Sequence, residues 1–177
     1  MPASDLQAAA LAHYQKGNYA EAAAAFEQAA DAYRAEGDRA MAAEIQSNLG
    51  VALRALKDYH RATATLEAAI AEFRALNDAR RLALALGNLG SVLLESNDLQ
   101  RAGDLLNESL SLLDPNADKA ARSEVLRVMG EVRLKQGRYM DGLVNYEAGL
   151  RDVEKPNTQQ QWLKKLLEKP LRMLGRK

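Results

Sequence analysis

The strongest constraint on this chain is a forty-residue period that runs through it. Gly17-Asn18-Tyr19, Lys57-Asp58-Tyr59, Asn97-Asp98-Leu99 and Gly137-Arg138-Tyr139 follow one another at that spacing, and so do Asp38, Asp78, Asp118 and Thr158. Two independent series with one period mean that one unit is repeated. A unit of this size cannot bury an apolar face alone, so it must stack on its neighbours.

Each unit reads as two helices. In the second they are predicted at Ala42 to Leu56 and Tyr59 to Leu76, with Lys57-Asp58 between them. Asn18, Asp58 and Asp98 stand just before a large residue, where a side-chain oxygen accepts from the free amides of the second helix; Arg138 departs from this. The series Asp38, Asp78, Asp118 and Thr158 places an N-cap type ahead of each following first helix. Small residues recur in register at Ala10, Gly50, Gly90 and Gly130 on the first helix and at Ala22, Ala62, Ala102 and Gly142 on the second. Phe26, Leu66, Leu106 and Tyr146 then supply bulk, before Ala29, Ala69, Ser109 and Gly149 return to small size. Glycine inside a helix costs roughly 1 kcal/mol against alanine, so three glycines at one register predict a crossing where a methyl group would clash.

Composition agrees with an all-α reading. The 177 residues are 47% hydrophobic with four prolines, enough for one domain with a continuous core. There is no cysteine, and two isolated histidines, His13 and His60, leave no basis for a metal site or a cofactor. Neither histidine has an acid or nucleophile at a matching spacing, and no catalytic constellation is found. Gly87-Asn88-Leu89-Gly90 echoes a phosphate loop but lies inside a helix with no preceding strand. Asn107-Glu108-Ser109 spells a glycosylation site, again within a helix. Equal numbers of acids and bases, 24 each, argue against a nucleic-acid partner. With no secretory segment or long apolar run, the expectation is a soluble cytoplasmic protein.

The run of small residue, turn residue, Tyr, Ala, large residue and small residue at these spacings resembles the tetratricopeptide repeat. Its length, with Asn48-Leu49-Gly50 and Asn88-Leu89-Gly90, is similar to the longer-helix subclass found in kinesin light chain. The tryptophan often seen early in the first helix is replaced by Leu6, Gln46, Leu86 and Leu126, and the turn glycine is missing from the second and third repeats. The resemblance implies an α-solenoid of four hairpins in a right-handed superhelix, a single domain over residues 1–177 with repeats at about 4–37, 38–77, 78–117 and 118–156. It also implies a non-enzymatic adaptor whose concave groove takes a peptide or helical segment of a partner protein. The alternative is a self-assembling scaffold, a homo-oligomer joined through the end faces of the array.

In such repeats the first helices line the concave side. Carried onto this chain, that stripe includes Gln7, Leu11, Tyr14, Glu44, Ser47, Asn48, Val51, Arg54, Leu84, Asn88, Ser91, Leu94, Glu95, Glu124, Arg127, Glu131, Leu134 and Lys135. Asn48 and Asn88 are its sharpest members, because an amide offers a donor and an acceptor to a ligand's main chain; they could instead bond to neighbouring helices or water. Arg54 and Arg127 could grip a carboxylate, or pair with Glu95 or Glu131. Gln7 and Leu11 stand where chaperone-binding members need lysine and asparagine, so chaperone tails are not expected partners.

From Asn157 onward there are six basic residues, Lys164, Lys165, Lys169, Arg172, Arg176 and Lys177, against one acid, Glu168. That net of +5 leaves −5 for the rest of a neutral chain. Trp162, Leu163, Leu166, Leu167 and Leu171 form an apolar stripe on a last helix, at about 158–174, with a kinked or frayed tail at Pro170. The register of Thr158 predicts a cap that docks Leu163 and Leu166 on the preceding helix; an anionic membrane surface is the competing reading.

Overall fold

The structure, a computed structural model, describes residues 1–153 and 156–173, without the side chains of residue 159 and residues 168–173. It consists of α1 (Ala3–Gln15), α2 (Tyr19–Ala35), α3 (Arg39–Ala55), α4 (Tyr59–Ala75), α5 (Ala79–Glu95), α6 (Leu99–Leu112), α7 (Lys119–Lys135), α8 (Tyr139–Arg151) and α9 (Thr158–Met173). Each helix packs on the next, which makes an all-α solenoid of four hairpins closed by α9.

The helix starts follow the capping expectation in part. Asp38, Asp58, Asp78 and Asp98 accept from the backbone N–H three residues on, at 2.9, 3.2, 3.0 and 3.3 Å. Asn18 makes no such bond. Asp118 gives its carboxylate instead to the Arg80 guanidinium at 2.8 Å and the Asp114 N–H at 3.1 Å. Thr158 is already helical, and the cap is Asn157, which accepts from the Gln160 N–H while its own N–H donates to the Gln160 side chain, both at 2.9 Å. This reciprocal pair satisfies two free donors at once, so an asparagine followed three residues later by glutamine outcompetes a threonine one place further on.

The helix ends explain the missing turn glycines. After α1, α2 and α7 stand Gly17, Gly37 and Gly137 with φ of 79°, 79° and 76°; after α3, α4 and α5 stand Lys57, Asn77 and Asn97 with φ of 62°, 54° and 67°. All six turns bond alike: in one, the Asp58 N–H reaches the Leu53 carbonyl at 3.0 Å and the Lys57 N–H reaches Arg54 at 2.9 Å. The left-handed geometry is thus kept without glycine. Asparagine tolerates it through its short polar side chain, whereas Lys57 is held there against the steric preference of an L-residue. After α6 the chain leaves differently, with Leu113 extended ahead of Asp114-Pro115, and Asp114 folds the loop by accepting from Asn116 and Ala117 at 2.8 and 2.7 Å.

Within each hairpin the expected crossing is present. A methyl group built on Gly50 would lie 2.5 Å from Leu66 Cγ, on Gly90 2.7 Å from Leu106, and on Gly130 2.7 Å from the Tyr146 ring. Ala22, Ala62 and Ala102 are fully buried, and Gly142 lies so close to α7 that a methyl would fall 2.7 Å from Leu134 and 3.0 Å from the Gly130 carbonyl. At the second small position Ser109 is fully buried, and its hydroxyl donates to the Ala83 carbonyl at 2.7 Å, so the polar atom is satisfied.

At the C-terminal end α9 rests on α8, with Leu167 buried against Leu150 and with Leu163, Leu143, Val144 and Tyr146 around them. The docked pair is therefore Leu163 and Leu167, and Leu166 is 51% exposed. Residues four apart are offset by only about 40° on a helix, against about 60° for residues three apart, so Leu163 and Leu167 share the better stripe. Nor does α9 break at Pro170; it runs on to Met173, forgoing the bond to the Leu166 carbonyl. The side chains of Leu171, Lys169 and Arg172, and all of Arg176 and Lys177, lie outside the described residues.

Two substitutions test this packing. Gly142→Ala gains about 1 kcal/mol of helix propensity but meets a crossing where overpacking costs about 1–3 kcal/mol; urea melts should show net destabilisation, and a gain would mean that the crossing can open. Lys57→Gly relieves about 1–2 kcal/mol of left-handed strain and gives back about 0.5–1 kcal/mol as unfolded-chain entropy. A rise of about 0.5 kcal/mol is expected, and a loss would show that Lys57 is not strained.

Candidate functional site

The first helices come nearest to one another: α3 contacts α5, and α5 contacts α7. The second helices are bridged instead by long side chains, as in Arg61–Glu27 at 2.7 Å, Arg101–Glu67 at 2.8 Å and Arg74–Glu108 at 2.7 Å. The side on which helices crowd is the inner one, which makes the first-helix face the concave face.

On that face α3 and α5 bring Ser47, Asn48 and Asn88 into one groove of ≈ 620 Å³, walled by Glu44, Asp78, Arg80, Arg81 and Leu84. The Asn88 Nδ2 donates to the Ser47 hydroxyl at 3.2 Å, and among the described residues its carbonyl oxygen accepts no hydrogen bond. Among the described residues the Asn48 amide has no hydrogen-bond partner. Other stripe members are less available. Ser91 is buried and donates to the Gly87 carbonyl of its own helix at 3.1 Å, Leu94 is 5% exposed, and Gln7 accepts from the Tyr33 hydroxyl at 2.7 Å. Leu134 lies against Gly142 inside the fourth hairpin. Lys135 donates to the Leu94 carbonyl at 3.3 Å, satisfying the C-terminal end of α5.

The charges along the first-helix face answer one another. Arg54 pairs with Glu95 on the neighbouring α5 at 3.6 Å. Arg127 makes a two-point contact with Glu124 of its own helix, at 2.9 and 2.6 Å, and also bonds Glu131. Hydrogen bonding to Arg127 holds the Glu124 carboxyl below its ordinary range, and in turn raises the pKa of Arg127. Nearby, burial first and the Glu131 charge second push the Tyr146 hydroxyl up to about 12. Arg127 and Tyr146 also line a smaller cavity of ≈ 190 Å³ with Gly149, Leu150 and Leu163, apart from the asparagine groove.

Two residues that sequence reading did not single out, Arg80 and Arg81, form the groove's rim. Arg81 joins α5 to α3 through Glu44 at 2.7 Å and returns to Asp78 at 2.9 Å, while Arg80 reaches Asp118 at 2.8 Å. The bond from the Arg81 N–H, with the Arg81 guanidinium behind it, lowers the pKa of Asp78. The one local signal was an arginine three residues after a capping aspartate; the partners Glu44 and Asp118 lie almost a full repeat away.

Helical hairpins stacked with their first helices inward, closed at one end by a single helix, define a repeat scaffold of the tetratricopeptide class. Comparison with known proteins agrees. Family models described as tetratricopeptide repeat match residues 6–36 and 41–114, which is 105 of the 177 residues. This chain belongs to the tetratricopeptide-repeat family, whose repeats generally mediate protein–protein interaction and which is typically non-enzymatic. No curated protein matches it by sequence. Among solved structures it is similar to BtubC (BKLC) from P. vanneervenii, with a TM-score of 0.74 and 21% identity over 88% of this chain. The chain spans 66% of that protein's length, and the likeness is one of fold. Among the described residues no cluster of three potential metal ligands occurs, and no helix is long and apolar enough to cross a membrane.

Hydrogen-bonded carboxylates at the rim and beyond it also fix a pH response. Asp78, Asp114 and Glu124 all have lowered pKa values, so the unfolded chain takes up protons before the folded one does. Their contribution is complete above about pH 5, clear of the unfolded-chain values, and is lost as pH falls through the lowered values. Asp78→Asn keeps a capping oxygen but removes the charge. The variant should be less stable than the parent at neutral pH, with the gap closing towards about pH 2. A gap that does not change with pH in acid titrations followed by circular dichroism would remove Asp78 from this account.

Proposed function

We propose that this protein is an adaptor, one domain in which the groove between α3 and α5 holds an extended segment of a partner protein. The observation that carries the reading is the pair Asn48 and Asn88. Two amides from successive repeats share one groove and, among the described residues, one has no intramolecular partner and the other has a free carbonyl oxygen. Together they match the alternating donor and acceptor of a peptide main chain. Arg54 and Arg127 play a secondary part. Both are engaged by carboxylates, so an acidic ligand would have to displace Glu95 or Glu124 and Glu131 before meeting them. Specificity then rests on the shape of the groove around Leu84 and Phe73 more than on Arg54 and Arg127. End-to-end stacking of copies, the competing reading, would need the face of α8 on which α9 lies.

The test is selection of displayed random peptides on the parent protein, followed by titration of the winners against Asn48→Ala/Asn88→Ala. Loss of two hydrogen bonds of about 1 kcal/mol each should weaken binding by about 30-fold with an unchanged melting temperature. Winners that bind the variant equally well, or that protect only second helices from hydrogen exchange, would sink the groove reading.

A further inference from the structure

Capping the array uses only one side of α9. Leu163 and Leu167 turn inward to Leu150 and its neighbours, whereas Trp162 and Leu166, also four apart and therefore one stripe of their own, are 62% and 51% exposed. Lys165, exposed, stands between them in sequence. A helix that only capped the solenoid would carry polar residues on its outer face. Two large apolar side chains held in water on adjacent turns mark a surface that meets something.

We propose that the outer face of α9 docks the protein on an anionic lipid bilayer. The geometry is that of an interfacial helix, with an aromatic and a leucine placed to enter the acyl boundary and Lys165 beside them at headgroup level. Charge is segregated in the sense this requires. The segment from Asn157 carries +5 and the remainder −5, so an anionic surface attracts α9 and turns the body away. A second copy fits less well. Two α9 faces brought together would oppose like charges, and the other end of the array offers only Met1 at 80% and Leu11 at 38% exposure among the described large apolar residues, with no aromatic. This inference is independent of the asparagine groove.

Trp162 is the only tryptophan, so its emission reports on this face alone. The full chain is titrated with vesicles of phosphatidylcholine and with vesicles containing about one third phosphatidylserine, and emission and co-sedimentation are read together. A blue shift and sedimentation with the anionic vesicles, at least about tenfold weaker with neutral ones and reversed by about 0.5 M salt, are expected. Leu166→Ser and Lys165→Glu, both at exposed positions, should each weaken binding several-fold while the melting temperature stays unchanged. No shift with either vesicle, or equal shifts with both, overturns the proposal. So does a shift that grows with protein concentration alone alongside a doubled mass, which would assign the face to a second copy. Soluble polyglutamate giving the same shift as the vesicles would assign it to an acidic protein instead.

Discussion

The close approach of paired helices at the first small-residue crossing is what the rest of this protein depends on. Gly50 against Leu66, Gly90 against Leu106 and Gly130 against the Tyr146 ring leave no room for a single methyl group. Ridges and grooves interlock at a fixed angle only when the backbones come this near. Because the same crossing recurs in successive hairpins, the small rotation from each to the next accumulates as curvature. Curvature brings α3, α5 and α7 together on one side, and Asn48 and Asn88, forty residues apart in sequence, thereby line one groove.

Between hairpins the apolar core is continuous from Ala3 to Val132, and the last pair of helices forms a second, smaller cluster around Leu150 and Leu167. Ion pairs on the outer side follow the same division. Glu27–Arg61 and Glu67–Arg101 link successive second helices, but Asn107 and Asp141 occupy the equivalent places between α6 and α8, and Glu147 bonds Arg151 of its own helix at 2.5 Å. Exposed pairs of this kind contribute about 0–1 kcal/mol each. Their effect is on alignment of neighbouring helices more than on stability, and the fourth hairpin is held by apolar packing, by α9 and by the bonds of Asp118 and Lys135 to Arg80 and Leu94 of α5.

The groove charges illustrate a general tension in repeat scaffolds. Acids and bases placed along a concave stripe are free to recognise a ligand only if they do not find one another first. Here Arg54, Arg81 and Arg127 each have a carboxylate partner. Among the described residues, the polar groups left without a protein partner include the Asn48 amide and the Asn88 carbonyl, whose uncharged chemistry favours main-chain contacts.

The sequence by itself determined the period, the existence of all nine described helices, the small-residue crossings, four of the aspartate caps and the presence of a terminal cap. Each of these rests on contacts within a few residues or on a repeat that restates itself, and such information is local. Asn157 was also readable, through Gln160 three residues on, but the forty-residue register of Thr158 pointed one position too far. Only the tertiary structure decided that Leu167 and not Leu166 meets α8, that Leu94 and Ser91 are buried, and that Arg80 and Arg81 form the groove's rim. Those outcomes follow from how far each hairpin is rotated against the next. A side chain whose partner lies a whole repeat away learns its role from that rotation, which is set by the summed shape of two packed surfaces and not by any short run of residues.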